Sequence, residues 1–99
     1  MKTVSAATFK TMMDENESFY LIDVREENEF DADNMGGHLI PLGEVPNRVE
    51  EFPKDKKVIV HCRSGMRSAN AIQFLEQSYG YDNLYNLEGG IIAWNDLIG

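Results

Sequence analysis

Cysteine is almost absent from this chain: Cys62 is the only one. A single thiol excludes an internal disulfide, and with no Cys-x-x-Cys pair a zinc-type site lacks its usual ligands. Positive charge is scarce too, with 9 Lys and Arg against 17 Asp and Glu for a net charge of −8. Such a chain repels polyanions, so nucleic acid is not expected as a partner. No apolar run approaches the length of a bilayer span, and the N-terminal "MKTVSAATFKTMM" lacks the apolar stretch of a secretory leader. Neither a membrane nor export is expected, and the default location is the cytoplasm, whose reducing environment agrees with one free thiol. Repeats, low-complexity tracts and linkers are also missing. The 99 residues read as one domain, 1–99, expected to be monomeric.

The acids that are present come in runs: "DENE" (14–17), "REENEFDAD" (25–33) and "EVPNRVEEF" (44–52). They read as solvated helix faces and loops, with a docking surface for a basic partner as the sharper alternative. "TVSA" (3–6) suggests a short edge strand running into a helix capped by Ser5, with Phe9, Met12 and Met13 on its inner face. "FYLIDV" (19–24), "KVIVHC" (57–62) and "NLYNL" (83–87) read as short buried strands. "RVEEF" (48–52) suggests a turn or two of helix after Pro46, with Val49 and Phe52 inward. "SANAIQFLEQSYG" (68–80) reads as a helix lined by Ala71, Ile72, Leu75 and Tyr79 and stopped by Gly80, and "GGIIAWNDLI" (89–98) as a final helix. Strands alternating with helices imply an α/β fold: a mainly parallel sheet with helices on both faces. In such sheets ligands bind beyond the carboxyl ends of the strands, where Cys62 falls.

Between strand and helix lies "CRSGMRS", Cys62 to Ser68. A lone cysteine after a strand is ordinarily a small buried hydrophobe. Here a loop entering a helix aims backbone N–H groups at one point, the helix N-terminus adds partial positive charge, Gly65 gives backbone freedom, and Arg63 and Arg67 add full charges. Comparable settings bring a thiol to a pKa of roughly 3.5–7.5, so Cys62 is expected to be a thiolate nucleophile. A metal role is disfavoured because His61 and Cys62 are consecutive on an extended strand and point to opposite faces. His61 reads as a packed residue at the strand end, and His38, on an expected loop, is given no role.

"CRSGMRS" resembles the active-site loop of rhodanese-type sulfurtransferases, in the form Cys-x-x-Gly-x-Arg. "LIDVRE" (21–26) is similar to the family's Asp-Val-Arg strand end, and "YNLEGGIIAW" (85–94) to its Leu-x-Gly-Gly…Ala-Trp segment. The resemblance covers nearly the whole chain and implies a rhodanese-like sheet of about five short strands. It implies that Cys62 accepts a sulfane sulfur as a persulfide and that the amides of Arg63, Ser64, Gly65, Met66 and Arg67 cradle it. Arg67 would brace the loop or help to hold the donor, Arg63 suits a small anionic donor, and Ser64 would bond the outer sulfur or cap the next helix. Asp23 and Arg25 would support the site from behind or simply close the strand end as an ion pair. Glu88, Gly89 and Gly90 would form a turn beside it, and Trp94 would pack in the core or wall the pocket. The partners implied are a small anionic sulfur donor such as thiosulfate and a thiophilic acceptor (cyanide, a thiol or a protein), with no cofactor.

Two other functions share these features. Cysteine phosphatases and arsenate reductases also place a thiolate below an anion-binding loop, and the His-Cys pair fits the phosphatase signature, but its Cys-x5-Arg spacing would place the arginine at position 68, which is Ser68. The shorter loop suits one sulfur atom better than a tetrahedral phosphate. A domain without turnover, either an interaction or regulatory module or one that only carries sulfur to a partner, is the other alternative. "ADNMGGHLIPL" (32–42) departs from the family's Gly-His-Ile-x-Gly-Ala stretch. Aligned on Ile40-Pro41-Leu42, the family's Gly-His falls on Ala32-Asp33, while Gly36 keeps its second glycine.

Overall fold

β-Branched side chains set the central strand. Val58, Ile59 and Val60 are fully buried, so this stretch has apolar neighbours on both faces, as a middle strand of a parallel sheet requires. The computed structural model of the chain describes residues 1–99. The five strands are β1 (Lys2–Val4), β2 (Tyr20–Asp23), β3 (His38–Leu39), β4 (Val58–His61) and β5 (Leu84–Leu87), in the order β1-β5-β4-β2-β3. Every adjacent pair is parallel. The helices are α1 (Ala6–Asp14), α2 (Glu27–Ala32), α3 (Met66–Tyr79) and α4 (Gly90–Ile98). None is long and apolar enough to cross a membrane.

Strand alternation divides the core in two. Val58, Val60 and Cys62 face α3, packing with Ala71, Ile72 and Leu75 and with Val45 and Phe52 of the segment before β4. Ile59 and Leu87 face the other way, onto Phe9 and Met12 of α1 and Trp94 of α4. The Phe9 and Trp94 rings meet edge-on, with centroids 5.4 Å apart, so Trp94 is a core residue.

Most expected elements are present, with some differences. Ser5 caps α1 by accepting from the Thr8 amide, but Met13 is 41% exposed, because the buried stripe runs through Phe9 and Met12 and leaves Met13 on the flank. Tyr79 is 46% exposed, because α3 ends there at left-handed Gly80; Tyr81 fills the core instead and donates to the Phe52 carbonyl at 2.7 Å. The turns after Pro41 are 3-10 helices, Leu42–Asn47 and Val49–Glu51, and Pro46 lies inside the first rather than before it. Within the acidic run, α2 forms although none of its residues is buried. Its signal is a reciprocal cap, in which the Glu26 and Glu29 side chains each accept from the other's backbone. His38 lies on edge strand β3 rather than in a loop, and its Nε2 sits 2.7 Å from Glu51 Oε1.

Candidate active site

Cys62 follows β4 directly, and three residues later Gly65 turns the chain into α3 with φ at +113°. That left-handed turn aims the Gly65 amide back at Sγ, 3.1 Å away. The Ser68 hydroxyl lies 3.3 Å from Sγ. Burial, with Cys62 only 1% exposed, pushes the thiol up; the Ser68 hydroxyl and the amides of Ser68, Gly65 and Ser64 outweigh it, and the net shift is downward. Of these amides, the Gly65 N–H is the one in direct hydrogen-bond contact with Sγ. Hydrogen bonds, rather than the two arginine charges, are the main cause of the lowered pKa.

The loop is held from behind by α4. The Ile91 amide donates to the Cys62 carbonyl at 2.9 Å and the Ile92 amide to the Arg63 carbonyl at 3.2 Å. Two N–H groups that a helix start leaves orphaned are satisfied by the loop, and two loop carbonyls are turned away from the sulfur. Only glycine allows so close an approach: a Cβ on Gly90 would lie 2.4 Å from the Arg63 oxygen and 2.5 Å from the Cys62 oxygen. Gly89 and Gly90 thus sit beneath the loop, and Glu88 is exposed at the end of β5, its amide bound to the Val4 carbonyl.

Arg67 does not stand free beside the sulfur. Its guanidinium is gripped by Glu29 of α2 through both carboxylate oxygens, at 2.7 and 2.9 Å. The Arg67 hydrogen bond holds Glu29 at a pKa of about 2. Asp23 and Arg25 lie further back as a buried pair with an Nη2–Oδ2 distance of 2.8 Å. Arg25 also donates to the Glu29 and Asp33 carbonyls, tying α2 to the end of β2. Arg63 and Ser64 are exposed, and Arg63 enters no ion pair. Ser64 does not cap α3; the residue before that helix is Gly65, and no side chain caps it. Met66, the first residue of α3, is 74% exposed.

Three residues of the site escape a reading of the sequence. Glu29 was hidden in the acidic run. The sequence marks Ser68 only as the start of a helix, yet it is fully buried against the thiol. Asn86 of β5 donates from Nδ2 to the Gly65 carbonyl at 3.0 Å and accepts the Ser68 hydroxyl at 2.5 Å. The signal for Asn86 was a polar residue at an inward position of an apolar strand. His61 points away from Cys62, fully buried, and neither of its ring nitrogens has a hydrogen-bond partner. No three His, Cys, Asp or Glu side chains converge as a metal-binding group. A depression of about 460 Å³ lies between Phe9, Met13, Phe19, Met35 and His38, but no residue of the Cys62 loop lines it. The depression and the Cys62 loop are separate in this fold, and the thiol with its lowered pKa marks the candidate site.

Comparison with known proteins agrees with this geometry. The family model described as "Rhodanese-like domain" matches residues 5–97. YtwF of Bacillus subtilis is 40% identical, over 95% of this chain and 90% of its own. A sulfurtransferase of Allochromatium vinosum is 37% identical, over 92% of this chain and 85% of its own. The crystal structure of a rhodanese-related protein from Thermoplasma volcanium superposes with a TM-score of 0.83 at 30% identity, covering 98% of this chain and 93% of that one.

Proposed function

The chain belongs to the rhodanese-like domain family, and from that premise we propose that it is a sulfurtransferase that carries sulfur as a persulfide on Cys62, with a small anion such as thiosulfate as donor. The observation that carries this reading is the Gly65 amide 3.1 Å from a buried sulfur whose pKa is lowered by hydrogen bonds. The family and its sulfurtransferase relatives support the reaction class.

The thiolate attacks the outer sulfur of the donor. A bond from Sγ to that sulfur forms, the donor's S–S bond breaks, and its electron pair leaves on sulfite. An acceptor (cyanide, a small thiol or a protein thiol) then takes the outer sulfur, and the electron pair of the broken bond returns to Sγ. The amides at the start of α3, from Ser64 to Arg67, hold the charge of the outer sulfur, as an oxyanion hole holds oxygen. The free guanidinium of Arg63 draws the anionic donor in. Arg67 acts as the brace between the loop and α2. Asp23 and Arg25 support the site through α2, and Gly89 and Gly90 let α4 hold the loop from below. A thiol this deeply buried favours a donor whose reacting sulfur is terminal and slim.

Intact-mass measurement after incubation with thiosulfate tests the reading. The expected result is a gain of one sulfur atom that disappears in Cys62→Ser. A chain that folds, keeps its thiol and gains no mass overturns it.

A further inference from the structure

The Ser68 hydroxyl has one proton and three acceptors around it. Asn86 Oδ1 is at 2.5 Å, the Gly65 carbonyl at 3.2 Å and Cys62 Sγ at 3.3 Å. The Asn86 amide cannot yield by turning over. Its Nδ2 is committed to the Gly65 carbonyl at 3.0 Å, and a flip would set oxygen against oxygen there. The Gly65 carbonyl is already served by the Asn86 and Ala69 N–H groups. The choice for the proton is therefore between Asn86 and the sulfur.

That choice depends on the charge of Sγ. A thiolate is a charged acceptor, and hydrogen bonds to charged groups are the stronger kind. Once Sγ carries an outer sulfur, the negative charge moves outward to that atom, Sγ becomes a neutral and weak acceptor, and Asn86 Oδ1 is the better partner. We propose that the Ser68 hydroxyl is a two-position donor, turned to Asn86 while the persulfide is loaded and to Sγ as the persulfide discharges. Ser68 is then a catalytic residue of the acceptor step, stabilising the thiolate that departs from the outer sulfur. Asn86 is the residue that positions it. No proton is transferred: the hydroxyl rotates as the electron pair of the S–S bond returns to Sγ. The proposal rests on the persulfide reading above.

Single-turnover kinetics separate the two half-reactions. Protein preloaded with thiosulfate and freed of excess donor is mixed with cyanide, and loss of the extra sulfur is followed by intact mass. In Ser68→Ala, discharge slows by roughly 10- to 100-fold, as loss of a hydrogen bond to a charged group implies. Loading, measured at a pH where the thiol is fully ionised, changes less than about threefold. Equal slowing of both steps, or unchanged discharge, overturns the proposal, since a merely structural serine would not divide the two. In Asn86→Leu the competing acceptor is gone, so the pH midpoint of Cys62 alkylation moves down; an unmoved or raised midpoint overturns the role given to Asn86. If the unaltered protein never gains sulfur, the persulfide reading fails instead, and the two failures are distinguishable.

Discussion

Glu29 holds the Arg67 guanidinium at two points, 2.7 and 2.9 Å, and so removes one of the loop's two arginines from the pool of free positive charge. The pair is only partly exposed, with the Arg67 side chain at 32% and Glu29 at 26% of full accessibility. Removing one partner therefore does more than remove a bond: it leaves the other charge facing the site unmatched. Arg67→Ala exposes a carboxylate near the place where the proposed anionic donor would arrive. The apparent KM for thiosulfate is expected to rise roughly tenfold, the order of a single nearby like charge at about 1.4 kcal/mol. Glu29→Gln combined with Arg67→Ala should recover most of that loss. A double variant no better than Arg67→Ala would mean that the guanidinium itself binds the donor.

The Asp23–Arg25 pair makes a different prediction. Both side chains are buried, and Arg25 spends its remaining donors on the Glu29 and Asp33 carbonyls. Arg25→Met strands Asp23 in the interior and unties α2. The expected cost is about 3–5 kcal/mol of stability, read as a lower urea midpoint. Loss of less than about 1 kcal/mol would make the pair dispensable.

Two glycines with similar backbone angles should respond very differently to alanine. Gly80, at φ +68°, has nothing within 4 Å of an added Cβ, so Gly80→Ala bears only the left-handed penalty of about 1 kcal/mol. Gly90, at φ +58°, would drive its Cβ into the Cys62 and Arg63 carbonyl oxygens. Gly90→Ala is expected to lose more than about 3 kcal/mol and to abolish sulfur loading, because the α4 amides that hold the loop must retreat. Thermal melts and intact mass read both effects, and equal melting shifts in the two variants would refute the contact.

What the sequence discloses follows from how local each signal is. β4 and α3 are legible because β-branched runs and glycine-bounded apolar periods are properties of consecutive residues. The Cys62 loop is legible because its glycine, arginines and thiol lie within seven positions. α2 has no buried face and hence no period to detect, and only its reciprocal glutamate cap marks it. The Glu29–Arg67 and Ser68–Asn86 contacts join residues 38 and 18 positions apart, on elements that meet only because of the sheet order. Neighbour-by-neighbour reading cannot place such pairs. It names the backbone amides that lower the thiol pKa, but it adds the two arginines as agents and misses the Ser68 hydroxyl.

His61 gives the clearest pH dependence. It is fully buried, its nitrogens lack hydrogen-bond partners, and the charged groups acting on it are Asp23, with Oδ2 at 3.7 Å, and Arg25. Burial lowers its pKa below 6.5, and the attraction of Asp23 only partly offsets this. The unfolded chain therefore takes up a proton at His61 below about pH 6.5 that the folded chain refuses. A state that binds fewer protons loses ground as pH falls, so this residue's contribution is intact above pH 6.5 and declines below it, by up to about 1.4 kcal/mol per pH unit. His61→Leu removes that slope. At pH 7.5 the variant should lie within about 1 kcal/mol of the unaltered protein, because no hydrogen bond is lost and the space is refilled by apolar atoms. Between pH 6.5 and pH 5 the unaltered protein should lose stability relative to the variant. Curves that run parallel across that range would show that His61 carries the same charge folded and unfolded.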